Sequence, residues 1–184
     1  GHVVKEINNR PAGEVYADWL EKDLEELKDP IEFPTGVKLQ KITQYIKENP
    51  LGIVTDDGDV IVKMPVRIVN GNEIYFSPEI KENSVLHLLK ADEEKTIEAA
   101  KKSVEGINKP GFGIIFDCSF RWVYLGEKTG KEIEVLNKTI NAPFAGFYTY
   151  GEYGSTETSA CKFNSNTVTS LVFFDELVAE NNIN

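Results

Sequence analysis

A glutamate held between two glycines, Gly151-Glu152-Tyr153-Gly154, lies inside the stretch PFAGFYTYGEYGSTET at residues 143–158. Of the ten residues from Gly146 to Ser155, four are glycine or serine and three are tyrosine (Tyr148, Tyr150, Tyr153), so this turn combines small residues, aromatic rings and one carboxylate. Glycine lets the backbone take positive φ angles and lets a second surface come close. One reading is a small-ligand site with Glu152 as the anchor for a cation and the tyrosines as its walls. The other is a tight strand exit with a solvated glutamate, since glycine in a strand pattern often marks only a bulge. A second group with chemical capacity is Cys118 and Arg121. The run FGIIF at residues 112–116 delivers Asp117, Cys118 and Ser119 to a strand-to-helix turn, with Ser119 the expected N-cap. Helix-terminal N–H groups and the nearby Arg121 would lower the pKa of a thiol there. Against that stands a buried, inert cysteine, because free cysteine is among the most buried residue types.

Nucleophilic catalysis by Cys118 would need a general base. His87 is the one histidine apart from His2, and it sits between Leu86 and Leu88 in an expected strand, as a packed or hydrogen-bonded side chain. A histidine-based metal site is not expected from so few histidines, and nothing in the sequence calls for a cofactor. A cysteine-dependent enzyme therefore ranks behind a ligand-sensing domain and behind a protein-interaction module that uses an exposed apolar patch.

The 184 residues suffice for one domain with a sizeable core. A hydrophobic fraction of 41% with ten phenylalanines indicates a folded chain rather than a disordered one. Thirty acidic and 20 basic residues give a formal charge of −10, which argues against nucleic acid and anionic membrane as partners. No apolar run reaches the roughly 18 to 20 residues of a membrane span, and there is no signal peptide. Two cysteines make no disulfide framework, so a reduced, cytoplasmic setting is expected.

The elements that must position these residues follow from periodicity. Residues 1–2 read as a cloning remnant. Val3, Val4 and Ile7 form a short strand ended by Asn8-Asn9-Arg10. Pro11 starts an amphipathic helix over 12–28, with Tyr16, Trp19, Leu20, Leu24 and Leu27 on one face. After Pro34, Thr35 caps a second helix with Leu39, Ile42 and Ile46 as its stripe. A meander follows: residues 51–55, a turn at Asp57-Gly58, an alternating strand over 60–69 with Pro65 at an edge or bulge, and a hairpin at Asn70-Gly71 that pairs Glu73–Phe76 back antiparallel. Residues 84–90 make a fourth strand. A helix opens at Asp92-Glu93-Glu94 and closes at Lys101-Lys102, burying Ile97, Ala100, Val104 and Ile107. FGIIF, lacking polar alternation, is expected to be buried on both faces. Thr129-x-x-Glu132 is the pattern of a capping box ahead of Ile133, Leu136 and Ile140. Residues 155–165 form a surface loop, residues 166–174 a last strand, and residues 176–184 a tail or linker. The expected fold is α+β, a single domain with a mainly antiparallel sheet, in one or two parts, covered by helices.

In their order and spacing, VVKEINNRPAGEVYADWL, PVRIVNGNEIYFSPEIKENS, FGIIFDCSFR, GFYTYGEYG and FNSNTVT resemble the C-terminal domain of the FIST sensory module (F-box and intracellular signal transduction proteins) over roughly residues 3 to 175. The resemblance implies a ligand-sensing input domain rather than a catalyst, one that binds a small molecule such as an amino acid or small carboxylate. It implies as partners the N-terminal half of the same module and an attached output signalling domain. By motif position, Cys118 and Arg121 match the family's Cys-x-x-Arg, Gly151 and Glu152 its Gly-Glu, and Asn166 and Thr167 its late Asn-x-Thr. Phe120 stands where a small residue is usual. An amino acid would need Arg121 for its carboxylate and Glu152 for its ammonium, with Tyr148, Tyr150 and Tyr153 around the side chain. The competing view of these two charges is a structural ion pair or two unrelated surface groups.

Overall fold

The structure is a computed structural model that describes residues 1–32, 36, 38–56, 58–155 and 161–175. Pro34, Thr35 and Asp57, the middle of the expected 155–165 loop and the tail from residue 176 lie outside the described residues. The chain divides into two compact units: Gly1–Asp92 with Tyr153–Ser165, and Glu93–Glu152 with the chain from Asn166 onward. The units interleave in sequence, so no single cut separates them. The architecture is α+β with mostly antiparallel ladders and helices set against them.

In the first unit, five antiparallel strands run in the spatial order Val3–Val4, Glu73–Ser77, Val60–Val69, Leu51–Val54, His87–Leu88. Their anchor is the hairpin at Asn70-Gly71, where both residues take positive φ (49° and 89°), as a tight two-residue turn requires. The ladder slips between Pro65 and Arg67, the bulge expected of a proline in a long strand. Tyr16, Leu27, Ile42, Ile46, Met64, Ile74 and Phe76 are fully buried.

Three expectations are corrected in this unit. The helix over 12–28 is two helices, Ala12–Leu20 and Leu24–Lys28. Glu21 turns left-handed at the end of the first, and Asp23 caps the second by accepting from Glu25 N at 2.7 Å. The apolar stripe continues across the break, which hid it, and Trp19 is only partly buried. Leu39 belongs to the strand Lys38–Gln40, paired with Pro30–Glu32, and the following helix is just Ile42–Ile46. The strand expected over 84–90 shrinks to His87–Leu88, because its partner offers only Leu51 and Gly52, and His87 is exposed rather than packed.

The second unit is built on the strand Pro110–Cys118. It lies between Phe144–Thr149, which runs parallel, and Val168–Phe174, which runs antiparallel. Helices Glu93–Lys102 and Thr129–Ile140 supply the core with Ala100, Leu136 and Ile140, joined by Val104 from the turn after the first helix and by Ile115 from the sheet, and flanked by Phe144, Val168 and Val172. Helix and sheet meet closely: a Cβ at Gly113 would fall 2.6 Å from Ile140 Cδ1. FGIIF is not buried on both faces. Gly113, Ile115 and Asp117 face the core, whereas Phe112 is 39% exposed and shares its face with Ile114 and Phe116. Cross-strand register adds Phe147, Leu171 and Phe173 to that outer face, each about half exposed or more. The missing polar alternation thus records an apolar outer face, not burial on both sides.

Candidate functional site

The central strand ends at Asp117 and Cys118, and the helix Ser119–Leu125 starts at once. Cys118 itself takes the N-cap position with extended backbone, so Ser119 is the first helical residue and not the cap. Four residues separate Asp117 from Arg121, which turns the guanidinium back over the strand end. Arg121 Nε donates to Asp117 Oδ1 at 2.8 Å, and Nη2 donates to the Thr96 carbonyl at 2.9 Å and to Glu132 Oε1. Arg121, Asp117 and Glu132 are 3%, 8% and 1% exposed. Glu132 Oε2 is buried without a hydrogen-bond partner.

Glu132 does not complete a capping box. The helix Thr129–Ile140 has Lys128 as its N-cap with no side-chain cap, and the Thr129 hydroxyl donates back to Gly126 O at 2.7 Å. Burial pushes Asp117 up to about 7. The charge of Glu132 adds to this and the Arg121 guanidinium opposes it.

A second group lies on the other side of the same strand end. Glu152 is 3% exposed; its Oε2 accepts from the Thr167 hydroxyl at 2.7 Å and its Oε1 accepts from the Thr149 hydroxyl. Thr149 Oγ1 also lies 3.1 Å from the Asp117 carbonyl. One hydroxyl carries one proton, so Thr149 serves only one of these two acceptors at a time. No cation pairs with Glu152 among the described residues. The backbone here takes positive φ at Gly151 (138°) and Asn166 (60°), and Cys118 N donates to Thr167 O at 3.0 Å. Burial, helped by the charge of Glu152, raises the Cys118 thiol above its ordinary value against the pull of the Phe120 and Asn166 amides. The thiol is therefore held protonated, the reverse of what a nucleophile needs.

Cys118, Gly151, Glu152, Asn166 and Thr167 are thus gathered around one carboxylate. Arg121 and Glu152 do not pair with each other; each has its own partners, and Asp117 links them by its side chain on one side and its carbonyl on the other. Tyr148 borders the Arg121 group, its phenol raised by burial and by Asp117 and Glu132, and its ring lies 5.8 Å from that of Trp122. Tyr150 and Tyr153 project to solvent at 89% and 71% exposure. Sequence reasoning assigned no site role to Asp117 or Thr149 and took Glu132 for a helix-capping residue. The Asp117–Arg121 spacing of four was the available signal for the first. The first unit has an open groove lined in part by Lys28, Lys38, Arg67 and Tyr75, but Lys28 and Lys38 already meet Glu25 and Glu32.

In this α+β domain the buried acid Glu152 is held by the hydroxyls of Thr149 and Thr167, beside a thiol that burial raises above its ordinary value. The model of the FIST C domain family matches residues 12–155, and the chain belongs to that family of sensory signal-transduction domains. The matched span contains Cys118, Arg121, Gly151 and Glu152 and ends before Thr167, the residue that the fold returns to Glu152. No curated protein and no solved structure matches the chain. No helix among the described residues is long and apolar enough to cross a membrane.

Proposed function

We propose that this domain senses a small molecule bearing an ammonium group, with an amino acid as the best-fitting class, and passes the signal to an attached output domain in the cytoplasm. The observation that carries this reading is Glu152, a buried carboxylate whose partners among the described residues are two neutral hydroxyls and no cation. Carboxylates in such settings gain most from a positive partner with several N–H donors, and an ammonium supplies both. The ligand's carboxylate falls to Arg121, whose bonds to Asp117, Thr96 and Glu132 engage Nε and Nη2. Gly151, Asn166 and Cys118 frame the anchor, and Tyr148 with the more exposed Tyr150 would close around the side chain. The N-terminal half of the sensory module is the expected neighbour in the complete protein.

A thermal-shift screen of the chain against the common amino acids, simple amines and small carboxylates tests this. A ligand at about 100 times its Kd adds about 2.7 kcal/mol of stability. The expected result is a shift with amino acids or amines that disappears in Glu152→Gln. A shift of equal size in that variant would remove Glu152 from the site and with it the reading. The rival reading, a protein-interaction module without a small ligand, draws on the outward apolar face of Phe112, Phe147, Leu171 and Phe173. Silence throughout the screen, together with concentration-dependent self-association, would favour it.

A further inference from the structure

The group around Arg121 holds more negative charge than one guanidinium balances. Asp117 and Glu132 both bond the same cation, all three side chains are buried, and Glu132 Oε2 has no donor. A buried, ionised carboxylate without full compensation is among the costliest features a core can carry. The packed elements each supply something to this group, and among the described residues the cation bonded to Asp117 and Glu132 is Arg121. The helix Glu93–Lys102 presents the Thr96 carbonyl, which is itself an acceptor. The strand Phe144–Thr149 brings the phenol of Tyr148, which these carboxylates hold in its protonated form. Cys118, next in the chain, is a protonated thiol with Glu152 beyond it, and Val168, opposite Asp117 on the third strand, is apolar.

Two carboxyl groups competing for one cation in a dry site settle by sharing a proton. We infer that Asp117 holds a proton in the buried group it forms with Glu132 and Arg121, and that this unit releases it and loosens as its surroundings turn from acidic to alkaline. The proton makes the Asp117 carboxyl a donor toward Glu132 and leaves a single negative charge to match Arg121. The rise of Asp117 from 3.8 to about 7, caused by burial and then by Glu132, fits a proton that belongs to the pair.

The sign follows from linkage. The folded chain keeps a proton that the unfolded chain gives up near the ordinary aspartate value. Its stabilising contribution is therefore complete below about pH 4 and is lost as pH rises to about 7. That is opposite to the behaviour of an aspartate that is simply ion-paired. It makes the sensory domain responsive to pH through residues other than the Glu152 anchor, and it does not depend on the identity of any ligand.

The test is a site-resolved ¹³C titration of the Asp117 carboxyl in the full chain, with denaturation profiles of the wild type and Glu132→Gln from about pH 4 to pH 8. The expected results are a wild-type midpoint near 7 and a lower midpoint in Glu132→Gln, where the burial that raises Asp117 remains but the second acid is gone. The folded-to-unfolded ratio of the wild type should also fall, relative to the variant, on the order of a hundredfold across that window. An Asp117 midpoint near its ordinary value in the wild type, or parallel profiles for the two chains, overturns the inference. If Glu132→Gln does not fold, Asp117→Asn supplies the same subtraction, and the wild-type titration decides without any variant.

Discussion

The two buried acidic groups at the end of the Pro110–Cys118 strand are opposites in composition. Around Arg121, two carboxyls crowd a single cation and one oxygen is left over. Around Glu152, one carboxylate is held by threonine hydroxyls, with no cation paired to it among the described residues. The first group has its counter-charge built in and needs only a proton to balance. The second is short of positive charge and can be completed from outside. Two groups a residue apart in the sheet register, Asp117↔Tyr148 and Cys118↔Thr149, thus differ in whether an acid has a cationic partner among the described residues.

This contrast can be broken or sharpened by experiment. Its largest consequence is expected from Arg121→Met, which leaves two carboxyls in the core without their cation. Removing one partner of a buried ion pair costs about 3–5 kcal/mol, measured as a drop in the urea midpoint at pH 7. A loss below about 1 kcal/mol would mean that Arg121 is not the keystone of its group. Next comes Thr167→Val, isosteric but without the proton that Glu152 Oε2 accepts. Hydrogen bonds to charged groups contribute about 1.5–3 kcal/mol, so a loss of that size is expected, smaller in a Glu152→Gln background; equal losses in both backgrounds would uncouple the pair. The smallest effect concerns the thiols. With iodoacetamide at neutral pH, exposed Cys161 should be alkylated well before buried Cys118, as peptide mass mapping would show. Faster modification of Cys118 would reopen the nucleophile reading.

The first unit was the more legible in the sequence where backbone geometry alone dictated the outcome. Asn70-Gly71 demanded a turn with two positive φ values, and the register of the flanking strands followed from it. The helix break at Glu21–Asp23 stayed hidden because Leu24 and Leu27 continued the stripe of Tyr16 and Leu20 after a change of direction. Around the candidate site, Cys118, Glu152 and Thr167 could be singled out, but their grouping could not. Thr167 reads as an ordinary β-branched strand residue until the fold brings its hydroxyl to Glu152, 15 positions earlier. Glu132 was harder still, since a glutamate three residues after a threonine at a helix start fits a cap, and only packing reveals it as the second acid on Arg121. Pairings between residues far apart in sequence depend on which helices cover the sheet, and no local pattern carries that information.

The outer face of the three-stranded sheet has a colloidal consequence. Phe112, Phe147, Leu171 and Phe173 present an uncharged surface on a chain whose formal charge is −10. At low ionic strength mutual repulsion keeps such molecules apart before their sticky faces can meet. Added salt shortens the reach of that repulsion, from roughly 10 Å at 0.1 M to 3 Å at 1 M, while leaving the attraction between bare hydrocarbon surfaces intact. The isolated domain is therefore best handled in dilute buffer, and its light scattering should climb with salt rather than fall.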